Sequence, residues 1–303
     1  MARDGTNRHR TFLRGVFRNS RFESSVNEVT TLPEVKCPSC GTDGQGRYCA
    51  ECGERFLCSD DFELSHFLVK QLPEEFLHVD GKLPRTLRLL FARPGALAKN
   101  YVAGMRQPFV GPLRIYIVLF LAHAIVAVSI NGLGASFLQR VREIDAFGIL
   151  SHLMSGRPDV NWQSPDVASR VREFGHWLGE LATLLVFLAT AALQKLIFYR
   201  LHRRYLEHVV LGLNVASFFL ATLTVSELLV WAATRNRYGN FEDVLQTLIV
   251  ISALPLYWFF AIRRFYGLKT LVSAGAAIVV TASQAAVAVT LNTVVFAILI
   301  HAI

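Results

Sequence analysis

The chain has 303 residues, of which 52% are hydrophobic and 18% charged, and its mean hydropathy is +0.37. Soluble domains carry nearer 25% charged residues, so an ordinary soluble domain and a disordered polar chain are both excluded as readings of the whole. A net charge of +8 and a pI of about 9.5 suit nucleic acid or an anionic membrane surface, and five apolar blocks decide for the membrane.

The first 35 residues form a basic tail. In "RHRTFLRGVFRNSRF", Phe12, Leu13, Val16 and Phe17 share one helical face, with Arg10, Arg14, Arg18 and Arg21 mostly around it. A surface-lying membrane helix, a nucleic-acid arm and a disordered tail are all compatible with this pattern.

Residues 36–58 follow as a zinc ribbon. "CPSCGTDGQGRYCAECG" holds Cys37, Cys40, Cys49 and Cys52 in two CxxCG units, four of the five cysteines of the chain. Four thiolates complete the tetrahedral shell of a structural zinc ion, which leaves no open position for water or substrate. Gly41 and Gly53 allow the sharp turn that aims amide N–H groups at the sulfurs. Iron in a rubredoxin-like site is the main rival, and a dithiol redox pair comes next. Cys58 falls outside the pattern and reads as a bystander.

Residues 60–114 read as amphipathic interfacial helices, none long enough to cross. Apolar positions recur with helical spacing at Phe67, Leu68, Leu72, Phe76 and Leu77, then at Leu83, Leu87, Leu90 and Phe91. Pro73, Pro84 and Pro94 mark helix starts. No acidic residue occurs between Gly81 and Arg142, whereas Lys82, Arg85, Arg88, Arg93, Lys99, Arg106 and Arg114 precede the first span. These seven cations are the expected contacts to lipid headgroups.

The membrane bundle occupies 115–303, with spans near 115–133, 178–199, 209–232, 244–262 and 271–300. The fold class expected is therefore an all-α polytopic membrane protein of about five transmembrane helices, with an N-terminal zinc ribbon and interfacial helices. Lys and Arg also crowd "RLHRRYLEH" and "RRFYGLK", the connections after spans two and four. The positive-inside rule then places the N-terminus in the cytoplasm and the C-terminus outside. No cleavable signal peptide is expected, because the basic N-terminus lacks an apolar h-region. A reducing cytoplasm favours metal ligation over disulfides.

The runs "CPSCG…YCAECGE", "HFLVKQLPEEFLHVDGKLPRTLRLLFARPG" and "YVAGMRQPFVGPLRIYIVLF" together resemble an uncharacterised bacterial membrane family, the domain-of-unknown-function family numbered thirty-six sixty-seven. The matching positions are Cys37, Cys40, Cys49, Cys52, His78, Asp80, Arg85, Thr86, Arg93, Pro94, Gly95, Tyr101, Gly104, Arg106 and Pro112, and "YLEH" at Tyr205 to His208 is also similar. The resemblance implies an integral membrane protein with a ribbon, here in a bacterial inner membrane, and implies no activity.

A second polar site is sketched by Glu75, His78 and Asp80, with His66 nearby, and by the intramembrane residues His123, Glu180, Lys195, Glu207 and Glu227. Lys195 can pair with Glu207 or snorkel to the surface, and Glu180 can face Glu227. Polar groups on an interfacial helix and interhelical hydrogen bonds account for the same residues without any site. Ser273, Ala277, Thr281 and Ala285 recur every fourth residue, which makes span five central or self-associating and allows a homo-oligomer. There is no HExxH, G-x-S-x-G, P-loop or G-x-G-x-x-G opening a helix, and no catalytic residue is assigned. The expected role is a non-enzymatic adaptor or regulatory scaffold that contacts lipids and a cytoplasmic protein, nucleic acid not being the expected partner. The alternative is a transporter of lipids or small solutes that uses the polar positions.

Overall fold

A computed structural model describes residues 35–44, 46–56, 81–131, 185–234 and 240–302. The chain divides into two compact units. One comprises Met1–Leu77 together with Gly104–Pro108, and the other comprises His78–Ala103 and Phe109–Ile303.

Among the described residues of the small unit, 35–44 and 46–56 form two hairpins. Strand β1 (Val35–Lys36) pairs antiparallel with β2 (Asp43–Gly44), Val35 opposite Gly44 and Lys36 opposite Asp43. Tyr48 and Arg55 form the matching bridge of the second hairpin. The Phe56 ring lies against Gly44, where a Cβ would come within 2.8 Å of it, so a glycine at this position lets the two hairpins pack together.

The large unit is helical. Helix α1 (Leu83–Ala92) begins with Pro84 in its first turn, where a missing N–H costs nothing. Its C-terminus leads through Arg93, Pro94 and Gly95 into α2 (Ala96–Val102). Helix α3 (Pro112–Asn131) again opens on a proline. Helix α4 (Leu185–Ile197) is followed by the 3-10 turn Tyr199–Leu201 and by His202, whose φ of 49° closes the turn. The long helices α5 (Tyr205–Thr234), α6 (Asn240–Tyr266, with Pro255 inside it) and α7 (Thr270–Ala302) complete the unit.

Helix α5 is the hub of the described residues: α1, α2, α3 and α6 all pack on it. Its sealed positions Val210, Leu211, Val215 and Ala216 lie next to one another along the chain and so point in several directions, as a helix surrounded by others requires. The turn between α1 and α2 is docked by an unusually close approach. Gly95 has φ +76°, and a Cβ there would stand 2.7 Å from the carbonyl oxygen of Ala261 in α6. The same joint is tied by the Arg264 guanidinium donating to the Pro94 carbonyl at 2.7 Å and by the Tyr257 hydroxyl donating to the Leu90 carbonyl at 3.1 Å. Phe91, Phe218 and Tyr257 form an aromatic column beside it, with centroid separations of 5.4 and 3.9 Å.

Among the described residues, two helices are long and apolar enough to cross a membrane, Tyr205–Ala232 and Thr270–Val295, with mean hydropathies of 1.9 and 1.8. Helix α3 follows the first expected span, α4 falls within the second, and α6 contains the fourth. Helix α7 buries Ser273, Ala277, Val280 and Gln284, with Trp258 of α6 donating to the Gln284 side chain at 3.0 Å. Ala285 is exposed. Of the two places expected for this helix, central or self-associating, the central one is held by α5 among the described residues. Spacing of small residues announces a close approach without saying which helix makes it.

Candidate metal centre

Each CxxCG unit folds as a knuckle of the same design. In the first, the Cys37 N–H donates to the Thr42 carbonyl at 2.8 Å and the Gly41 N–H to the Cys37 carbonyl at 2.9 Å. In the second, the Cys49 N–H donates to the Glu54 carbonyl at 2.8 Å and the Gly53 N–H to the Cys49 carbonyl at 2.9 Å. Gly41 and Gly53 have φ of +80° and +72°, left-handed values that a side chain opposes, and this meets the turn the sequence called for.

The knuckles face each other. All four Sγ atoms of Cys37, Cys40, Cys49 and Cys52 lie within 4.8 Å of one another. Cys37 and Cys52 are 3.5 Å apart at sulfur, as are Cys40 and Cys49. Thiolates about 2.3 Å from a tetrahedral ion stand about 3.8 Å from each other, so this cluster fits a metal with little adjustment. Cys37 and Cys49 are buried, Cys52 is half-buried and Cys40 exposed.

The electrostatics suit a cation. The Thr42 hydroxyl pulls the Cys49 thiol down to about 6, helped by the Cys52 amide, and the same hydroxyl, 2.8 Å from Cys40 Sγ, lowers Cys40. At Cys52 the Glu54 amide acts to lower the thiol, but desolvation and bonds shared with the other three sulfurs outweigh it and raise the group to about 12. Four adjacent thiols cannot all ionise unaided, and an ion removes that conflict.

Glu54, immediately after the second knuckle, has its side chain sealed at 1% exposure. One carboxylate oxygen takes the Arg106 N–H at 3.0 Å, the Gln107 N–H at 2.8 Å and the Ser39 hydroxyl. Hydrogen bonds to a charged acceptor are worth about 1.5–3 kcal/mol each. Sequence reasoning passed over this residue. The available signal was a carboxylate directly after the second CxxCG, where the first has Thr42.

The other anticipated residues are distributed as follows. Arg85, Arg88, Arg93 and Lys99 are exposed on α1, the turn and α2, and Lys82, Arg106 and Arg114 are half-buried. His123 on α3 and Glu227 on α5 come together, Nδ1 to Oε2 at 3.7 Å, with the Thr224 hydroxyl 3.4 Å from the same nitrogen. Glu207 pairs with Arg203 at 2.7 Å rather than with Lys195, which is exposed. Glu75, His78, Asp80 and Glu180 lie outside the described residues, so the Glu180–Glu227 pairing and the first polar cluster do too. A group that sequence reasoning did not assemble is His208, Tyr266 and Gln194, joined at 2.6 and 3.5 Å through the tyrosine hydroxyl.

Several of the positions that carried the family resemblance are docking or turn points. Thr86 is sealed, donates to the Lys82 carbonyl at 2.8 Å and accepts the Val110 N–H at 3.0 Å, which ties the start of α1 to the approach to α3. Gly95 meets α6, Tyr101 is buried, and Gly104 has φ +94°. No curated protein and no solved structure matches the chain. The family model described as a protein of unknown function (DUF3667) matches residues 80–122, from just before α1 into α3, and over those residues the chain resembles the family that its motifs indicated.

Proposed function

We propose that this chain is a non-enzymatic adaptor or regulatory scaffold of the bacterial inner membrane, with a cytoplasmic zinc ribbon as its recognition module. The convergence of four thiols from two matched knuckles carries the reading. A shell of four thiolates is closed, so the ion supplies folding energy and no chemistry. A segment of about twenty residues thereby acquires a fixed surface without a core of its own, and a cytoplasmic protein is its partner.

The membrane assignment, with five spans, rests on what the helices leave uncovered. Only 22% of the most apolar window of α7 is buried, and Leu271, Val272, Ile278 and Val279 are all exposed on it. Ile125, Leu196 and Leu229 add exposed apolar surface on α3, α4 and α5. A soluble core helix hides such residues, whereas lipid accepts them. The N-terminus is cytoplasmic and the C-terminus extracytoplasmic on the Lys and Arg distribution. Lys82, Arg85, Arg88, Arg93, Lys99, Arg106 and Arg114 contact anionic headgroups.

One observation favours transport as a second reading. His123 and Glu227 form an ionisable pair between two helices of the bundle, and such pairs inside a membrane accompany ion or solute pathways.

Membrane fractionation joined to elemental analysis tests the first reading. The chain should stay with membranes through an alkaline wash and carry one zinc. The Cys37→Ser, Cys40→Ser double variant should stay in the membrane and lose the zinc. Equal zinc in both proteins, iron in place of zinc, or release by the wash would overturn it.

A further inference from the structure

We infer that Glu54 is a metal-dependent clasp that holds the α2–α3 connection, residues 104–108. The inference rests on the zinc reading above and adds a regulated target within the same chain. The clasp joins three parts of the small unit at one oxygen: Ser39 from the first knuckle, Glu54 from the end of the second, and the consecutive amides of Arg106 and Gln107. Those amides come from 52 and 53 residues further along the chain. A second contact lies beside the first. A Cβ built on Gly53 would stand 3.3 Å from Gln107 Nε2, so the Gln107 side chain covers the turn of the second knuckle.

Dependence on the ion follows from how Glu54 is placed. Its own carbonyl accepts the Cys49 N–H, so Glu54 is the residue that closes the second knuckle. Ser39 lies between Cys37 and Cys40, inside the first. Among the described residues of the small unit, the buried side chains are those of Cys37, Cys49 and Glu54, and Gly104 is the other buried residue. Two turns with so little apolar packing hold their mutual geometry through the ion they share. Without it, Ser39 and Glu54 separate and the amides of Arg106 and Gln107 return to water. The loaded unit therefore grips the segment that is covalently continuous with α2 on one side and α3 on the other. The surface around Gly53 and Glu54 already has an occupant, and an outside protein must use another face.

Hydrogen exchange on the full-length protein in lipid nanodiscs, with zinc measured on the same samples, tests the clasp. Chelation that removes zinc should raise exchange at residues 104–108 at least tenfold. Glu54→Ala should do the same with zinc retained. Glu54→Gln keeps an acceptor but loses its charge, and it should raise exchange severalfold at full zinc occupancy. Loss of zinc with no change at 104–108 would overturn the clasp, as would unchanged exchange in zinc-loaded Glu54→Gln, which serves as the arbiter if Glu54→Ala fails to fold. Wild-type protein that contains no zinc would overturn the zinc reading itself, a separate failure.

Discussion

The two units differ in what holds their described residues together. Among the described residues of the small one, the sealed side chains are two cysteines and a glutamate, each tied to named donors or sulfurs. Within the large one, Ala98, Ile115, Leu211, Trp258 and Ile262 are sealed, and apolar side chains remain on the outside as well. The first is held by a few directional bonds around one point, and the second largely by many undirected contacts. A local insult should therefore matter in the small unit when it touches the thiols or Glu54, and in the large unit when it changes volume.

Glycine substitutions break that comparison most sharply. Gly95→Ala adds a methyl group where the Ala261 backbone already stands 2.7 Å away, and at a left-handed φ. Strain and overpacking together should cost about 2–5 kcal/mol. Thermal unfolding of the detergent-solubilised protein should show a large drop in the helical transition. Gly41→Ala has a similar φ but nothing within 4 Å of its Cβ, so it should cost only about 1–2 kcal/mol, read as a modest loss of zinc affinity. Equal effects would mean that the turn at Gly95 is not packed on α6.

The dependence on solvent can be sharpened with the exposed cations. Arg85, Arg88 and Arg93 replaced together by Gln should remove up to about 3 kcal/mol of stabilisation by anionic over neutral lipid in nanodiscs, at about 1 kcal/mol per charge. The difference should shrink with salt, since it acts over about one Debye length. Zinc content should not change.

The smallest effect probes a single directional bond inside the helical unit. The Leu90 carbonyl lies in the last turn of α1, where no intrahelical donor reaches it, and the Tyr257 hydroxyl satisfies it. Tyr257→Phe should lower stability by about 0.5–1.5 kcal/mol in the same unfolding assay. A loss several times larger would place the α1 joint under directional control like that of the small unit.

What the sequence revealed tracks the distance over which each interaction acts. The two knuckles were legible because ligand spacing, glycine position and turn geometry are all settled within a few residues. The starts of α1 and α2 were legible from Pro84 and Pro94 for the same reason. Glu54 was not, because its donors lie 52 and 53 residues away and a lone glutamate after a cysteine pair looks like a solvated charge. The docking of α1 and α2 was hidden likewise. Amphipathic spacing with many cations describes a helix lying on lipid as well as one packed on protein, and only the α6 partner residues 167 to 170 positions later separate the two. The pairing of Glu207 with Arg203 rather than Lys195 was open to sequence, since the two lie only four residues apart across the start of α5.

The joint at Gly95 also has a timetable. Pro94 and Arg264 are bonded across 170 residues. At a synthesis rate of about 5–20 residues per second, the ribosome needs roughly 10–30 s to bridge that interval. For most of that time Leu90, Leu97, Ala98 and Tyr101 lack α5, and until its end they lack the complete α6. On the proposed headgroup contacts, the cations that alternate with these residues would give the nascent segment somewhere to wait, apolar side down on the lipid, until the later helices take it up.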